Sequence, residues 1–235
     1  MSTVDKLDRL IADQLKAELP SAVIGGEIIV LEQAGSTNDA IFQIVSRHGP
    51  PSPGEGFVVF AEHQTAGGGQ RGNRWESAAG KGLWFSMLLR PAIQLRDSGR
   101  LTIWAIEAIS DVIRIEFGLE PAIKLPNDVQ LNGHKVAGVL VEMRAQDKAP
   151  HLAVVGIGIN VNQSRDDFPA ALQDRAISLA MALGRQVDRQ NFAVALLRNL
   201  DLTYRAKFSK AVVAFNSSPA PTTIRDKRVA KFRTA

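Results

Sequence analysis

A strand-like run ends at Glu62-His63-Gln64 and enters Thr65-Ala66-Gly67-Gly68-Gly69-Gln70-Arg71-Gly72-Asn73-Arg74-Trp75, with four glycines within six residues. Glycine lets a backbone curl until consecutive N–H groups face one point, which makes a concavity for anions. Arg71 and Arg74 can neutralise phosphate oxygens through forked contacts, and Trp75 offers a flat face to a nucleobase or an apolar ring. A glycine loop beside a buried Trp would show the same residues without any ligand. The loop is not a P-loop, because Gly-x-x-x-x-Gly-Lys-Ser/Thr is absent.

Three further segments could share a site with this loop. Lys124-Leu125-Pro126-Asn127-Asp128 runs through an Asn132-Gly133 turn to Lys135, Gly138 and Leu140. Asn-Gly between short strands signals a hairpin, since a type I′ turn needs positive φ at both central positions. With those two as the turn, Leu131 pairs with His134, Gln130 with Lys135 and Asp128 with Ala137. Lys135 and Asp128 then share a face. That lysine can stabilise charge developing on a phosphate, and Asp128 or Asn127 can help hold Mg²⁺; an incidental surface ion pair is the alternative. Gly156-Ile157-Gly158-Ile159-Asn160 closes an apolar strand, where small residues admit a flat ligand or only a bulge. Gly35-Ser36-Thr37-Asn38 precedes a helical run, and Ser36 or Thr37 suits an N-cap as well as a ligand contact.

The elements that must position these residues follow from periodicity. Leu7, Leu10, Ile11, Leu15 and Leu19 predict an amphipathic helix between Asp5 and Pro20. Helices are also predicted over Thr37–Arg47, Trp104–Phe117 with Gly118 as its stop, and Arg189–Phe208. Glu27–Glu32, Phe57–Ala61, Leu83–Leu89 and His151–Val161 read as strands, and Ser217–Thr223 as a loop. Hairpins alternate with helices without a βα repeat. The expected class is therefore α+β, a mixed, mainly antiparallel sheet with helices packed against it.

Composition narrows the chemistry. The 235 residues are 45% hydrophobic and 22% charged, enough for a sizeable core. There is no cysteine, which excludes disulfides, thiolate metal sites and a cysteine nucleophile; the four histidines show no paired ligand spacing. From Arg205 onward eight Lys or Arg face one Asp, so the net charge of +4 belongs to the tail and the preceding 204 residues carry about −3. No apolar run is long enough to span a bilayer and the start does not read as a signal peptide, so a cytoplasmic setting without membrane association is expected.

In their order and spacing, the four segments resemble biotin protein ligases (biotin–acetyl-CoA-carboxylase ligases) of the biotin/lipoate ligase superfamily, over roughly residues 28–205. The resemblance implies the class II synthetase-like fold of that superfamily. It also implies that biotin attacks Mg·ATP to give biotinyl-5′-AMP, which a lysine of a biotin carboxyl carrier protein then attacks. Carried over by position, Ser36, Thr37, Asn38 and Gln64 would meet the biotin rings. Gly67, Gly68, Gly69, Gln70, Arg71 and Gly72 would fold over carboxylate and phosphate, with Trp75 beside the adenylate. Lys135 would be the leading catalytic residue, with Arg71 adding charge. Gly138, Leu140, Gly156 and Gly158 would wall the biotin pocket, while Asn127 and Asn160 would serve ATP and Asp128 the Mg²⁺.

This chain departs from the family pattern. Gly68 and Asn73 stand where members usually carry Arg, and Leu125 where they carry Trp. The expected layout is a lead-in at 1–27, a catalytic domain at 28–208 and a basic tail at 209–235, at most a remnant of the family's SH3-like barrel. The first thirty residues are too few for a winged helix, so no DNA-binding domain is expected; a homodimer is left open. Two alternatives stand beside the ligase: a lipoate–protein ligase-like enzyme, and a biotin- or adenylate-binding protein with impaired transfer.

Overall fold

Strand patterning, helix stops and turn residues together specify a sheet with one face closed and one face half bare. The computed structural model describes residues 9–20, 22–47, 52–146 and 150–209. Seven strands form the main sheet: β1 (Ile28–Ala34), β2 (Val58–Gln64), β5 (Gly82–Leu89), β9 (Leu152–Asn160), β8 (His134–Arg144), β7 (Asp128–Leu131) and β6 (Ala122–Lys124), in that spatial order. Only β1 and β2 run parallel; every other pair is antiparallel. The expected class is the observed one. Two-residue strands β3 (Gly67–Gly68) and β4 (Arg74–Trp75) pair separately as the stem of the glycine loop.

Side chains alternate across the sheet, and the alternation divides its two faces. Val58, Phe60, Leu83, Phe85, Met87, Val155, Ile157 and Ile159 face a core closed by α3 (Gly99–Phe117) and α5 (Arg189–Tyr204). Phe60 and Phe85 stack at 4.8 Å, and Trp104 packs against Tyr204 at 5.4 Å. Burying each such side chain is worth about 1.5–3 kcal/mol, so this face is not available for a ligand. On the other face α2 (Thr37–Arg47) lays Ile41 and Phe42 on Val59, Leu88 and Val154. It covers only that part of the sheet. Next to it β8 and β9 present Gly138, Leu140, Gly156 and Gly158, which leave a trough.

Helix α3 begins five residues before the expected start and ends where Gly118 turns left-handed at φ 63°. The expected N-terminal helix is shorter. Within the described residues α1 spans Ala12–Ala17, while Ile11 is extended, at φ −116°, and exposed. The cause is tertiary: Leu10 N–H donates to Glu62 Oε1 and Ile11 N–H to Gln190 Oε1, which hold this stretch open. Leu7, the loop at Ser217–Thr223 and any strand of the C-terminal tail lie outside the described residues. A short helix α4 (Leu179–Leu183) precedes α5 and is capped by the Ser178 hydroxyl, which accepts from Met181 N–H. Among the described residues no helix is long and apolar enough to cross a membrane.

The hairpin register differs from expectation by one residue. Leu131 pairs with His134 and Gln130 with Lys135, as expected, but a bulge then sets Val129 opposite Ala137 and Asp128 opposite Gly138. Val136 and Ala137 both turn to the core, and Gly138 faces the trough in place of Ala137. The segment at 175–177 takes over the ladder that the bulge interrupts. Lys135 N–H donates to Arg175 C=O at 2.8 Å, and Ile177 N–H donates to Lys135 C=O at 3.0 Å.

Candidate active site

The trough is a cavity of about 150 Å³ lined by residues of all four chemistry-bearing segments. At its polar end stand Thr37 and Asn38, both buried at the start of α2. The Gln64 carboxamide accepts Thr37 N–H at 2.8 Å, so a side chain from β2 satisfies one of the orphan amides of that helix. Its other end donates to Ser77 at 3.3 Å. Ser36 borders the same cavity.

The floor is glycine for a steric reason. A Cβ on Gly156 would stand 2.3 Å from Asn38 Oδ1, and one on Gly158 would stand 2.6 Å from the Trp75 indole. Gly138 is equally close to Lys135 and Trp75, at 3.0 Å. Trp75 thus lies over the two glycines, edge-on to Trp84 at 5.9 Å. Its Nε1–H is buried with no acceptor among the described residues, a costly state for a donor. Leu140 closes the side of the cavity near Gly68.

Lys135 stands at the mouth. Its Nζ lies 2.6 Å from Asp128 Oδ1 and 5.1 Å from the centre of the Trp75 ring. Beyond it opens a second cavity of about 460 Å³, which shares Asn73, Arg74, Trp75, Asp128 and Lys135 with the first. Lys124, Gln130, Arg175 and Asp174 also line it. A cationic group therefore sits where two compartments meet.

Not every expected site residue reaches these cavities. Arg71 is at the exposed loop tip in a left-handed conformation, φ 59°, and lines neither cavity; nor do Gly67 and Gly72. Arg74 borders both and is steadied by donating to Thr65 C=O at 2.9 Å. Asn127 reaches the first cavity, but its carboxamide donates to Val139 C=O. Asn160 reaches the second with its side chain engaged inside the protein: its amide donates to Lys135 and Ile177 carbonyls, and its oxygen accepts from Gln163. Both asparagines act here as struts behind the Lys135 hairpin. Gly69 and Gln70 remain on the lining.

Two polar groups escape a sequence reading. Ser86 is fully buried behind Thr37 and Asn38, and Glu142 bonds the Asn38 amide from the exposed end of β8. Ser86 leaves one faint signal, a lone hydroxyl in the apolar run Gly82-Leu83-Trp84-Phe85-Ser86-Met87-Leu88-Leu89. Glu142 leaves none.

A family model for biotin/lipoate A/B protein ligases matches residues 31–160, and the matched span contains all four segments. The chain belongs to the biotin/lipoate A/B protein ligase family. Among curated members of this family, the bifunctional ligase/repressor BirA of Bacillus spizizenii is 36% identical over 86% of this chain and 61% of its own length. The biotin–[acetyl-CoA-carboxylase] ligase of Mycobacterium tuberculosis is 32% identical over 74% of this chain and 63% of its own. The chain thus spans somewhat over three-fifths of each of these two relatives. The biotin protein ligase of Aquifex aeolicus, solved in complex with biotin and ATP, superposes with a TM-score of 0.64 at 28% identity. That match covers 77% of this chain and 72% of the other.

Within this ligase family a magnesium ion is the one implied inorganic cofactor. Among the described residues no group of three His, Asp or Glu forms a cage for a metal. Asp128 at the junction of the cavities fits a different arrangement: one carboxylate beside a cation that arrives on nucleotide phosphates, as Mg²⁺ commonly does.

Proposed function

We propose that this chain is an ATP-dependent biotin–protein ligase. It joins biotin to AMP and then passes biotin to a lysine of a biotin carboxyl carrier domain, in the cytoplasm. The observation that carries the reading is the meeting of two cavities at Lys135. The smaller holds biotin, with its ureido group at Thr37, Asn38 and Gln64, and the larger holds ATP. A biotin carboxylate oxygen attacks the α-phosphorus, the bond to the bridging oxygen breaks, and pyrophosphate leaves with the electron pair. Lys135 balances charge on the reacting carboxylate and phosphate, and Asp128 would help hold a Mg²⁺ ion, which would supply neutralising charge to the phosphates. A neutral acceptor lysine then attacks the acyl carbon, the C–O bond to AMP breaks, and the new amide releases a proton. No enzyme nucleophile is required.

The polar end of the small cavity favours biotin over lipoate. A dithiolane ring has no N–H or C=O, so it would leave unused the hydrogen-bonding capacity that Thr37, Asn38 and Gln64 retain at this end, whereas a ureido group can take it up. Biotin-dependent exchange of pyrophosphate into ATP, followed by labelling of a carrier domain, is the expected result. Exchange stimulated by lipoate and not by biotin would overturn the assignment. Exchange without labelling would instead leave a protein that makes and holds the adenylate.

A further inference from the structure

Behind the small cavity runs a chain of hydrogen bonds whose direction is set at its far end. Asn38 Nδ2 donates to Glu142 Oε2 at 2.6 Å, and Asn38 Oδ1 lies 2.6 Å from Ser86 Oγ. Ser86 Oγ lies 2.7 Å from Thr37 Oγ1, which lies 3.1 Å from Gln64 Oε1. Ser86 is fully enclosed and Asn38 is 3% exposed, so most of this chain is closed to water.

A carboxylate oxygen can only accept. Glu142 therefore forces the amide end of Asn38 outward and its carbonyl end towards Ser86. Ser86 has one proton, and an Asn carbonyl beside it commits that proton to Asn38. Ser86 oxygen is then free to accept from Thr37. Among the described residues, Gln64 Oε1, already held by Thr37 N–H at 2.8 Å, offers the other seat for the Thr37 proton. Ser86 is fully buried and Gln64 Oε1 also holds the Thr37 amide, so either seat keeps the Thr37 proton on a protein acceptor. Thr37 thus faces the cavity as an acceptor alone, while Gln64 keeps its amide as a donor. With Asn38 reversed, Ser86 would give its proton to Thr37, and Thr37 could turn its own proton into the cavity.

We propose that Glu142, acting through Asn38 and Ser86, is a positioning residue that fixes the donor–acceptor polarity of the ligand cavity and thereby its preference for a cyclic urea. The proposal rests on the biotin reading of that cavity. The lack of a side chain on Gly156 is part of the device, because a Cβ there would displace the Asn38 carboxamide from its seat.

The test uses biotin and its two cyclic carbamate analogues, in which oxygen replaces one or the other ureido N–H. Dissociation constants are measured by calorimetry for wild type, Glu142→Leu and Glu142→Gln, with a melting curve for each. Wild type is expected to favour biotin over at least one carbamate, and Glu142→Leu to shrink that ratio about tenfold, the factor of roughly one hydrogen bond. Glu142→Gln, which still offers a carbonyl oxygen, should restore it. If Glu142→Leu does not fold, Ser86→Ala gives the same reading by removing the relayed proton. A ratio unchanged in these variants, or biotin and carbamate weakened in parallel, overturns the relay while leaving the biotin assignment intact. No biotin binding by wild type overturns both.

Discussion

Lys135 and Asp128 form an ion pair of 2.6 Å across a β-bulge, and their side chains are only 33% and 23% exposed. The bulge brings Gly138 opposite Asp128, so nothing larger than hydrogen intrudes beside the ammonium group. Both side chains remain wet enough for the pair to contribute little to stability, about 1 kcal/mol or less. Its significance is placement. Lys135→Ala is expected to lower biotin-dependent pyrophosphate exchange by about 10²–10³-fold, the usual scale for removing a preorganised charge. The melting temperature should hardly move. Exchange at the wild-type rate would remove Lys135 from the reaction.

Trp75 sits on the glycine floor with an indole N–H that has no acceptor among the described residues, so a ligand that takes that floor must move it. Trp84 and Trp104 are buried, at 0% and 1% exposure, and should report little. Adding biotin and ATP is expected to change the intrinsic tryptophan emission, and the change should vanish in Trp75→Phe. An equal change in that variant would show that the indole stays in place.

Arg189 and Glu62 make a buried ion pair of 2.8 Å, and the same guanidinium donates to Gly82 C=O. Glu62 also receives Leu10 N–H, two residues before Gln64. Removing one partner leaves a buried charge, so Arg189→Met should cost about 3–5 kcal/mol in urea unfolding. Arg189→Met with Glu62→Gln should recover part of that loss. A single variant as stable as wild type would show that the pair holds nothing.

Tyr204 donates to Glu55 Oε1 at 2.6 Å. Burial and then the Glu55 carboxylate push the phenol well above its usual range, against a smaller opposing effect of the Arg90 backbone. A raised folded value means stability that is complete below about pH 10 and is lost as pH climbs past it. Tyr204→Phe should cost about 1 kcal/mol at pH 8. The gap between the two proteins should close above about pH 10, which denaturant titrations across that range would show. A constant gap would contradict the shift.

Local chemistry alone made much of this molecule readable. Thr37–Arg47 forms the expected helix residue for residue, because its apolar spacing and polar start are properties of the segment itself. Gly118 stops α3 and Asn132-Gly133 turns the hairpin for the same reason: only certain residues tolerate positive φ. The four segments were visible as types and spacings, and their meeting in one cavity follows from β9 lying between β5 and β8.

Tertiary structure decided the remainder. The bulge that exchanges Ala137 for Gly138 at the site is a choice between core and trough, made by packing and by the 175–177 segment. Arg71 and Arg74 are alike in sequence, yet a left-handed turn sends Arg71 to solvent and leaves Arg74 on the lining. Asn160 reads as a ligand residue until Lys135, Ile177 and Gln163 occupy its carboxamide. Glu142 meets Asn38 across 104 residues of chain, and no local pattern encodes that contact. A sequence specifies what each side chain can offer; only the fold determines which partner accepts it.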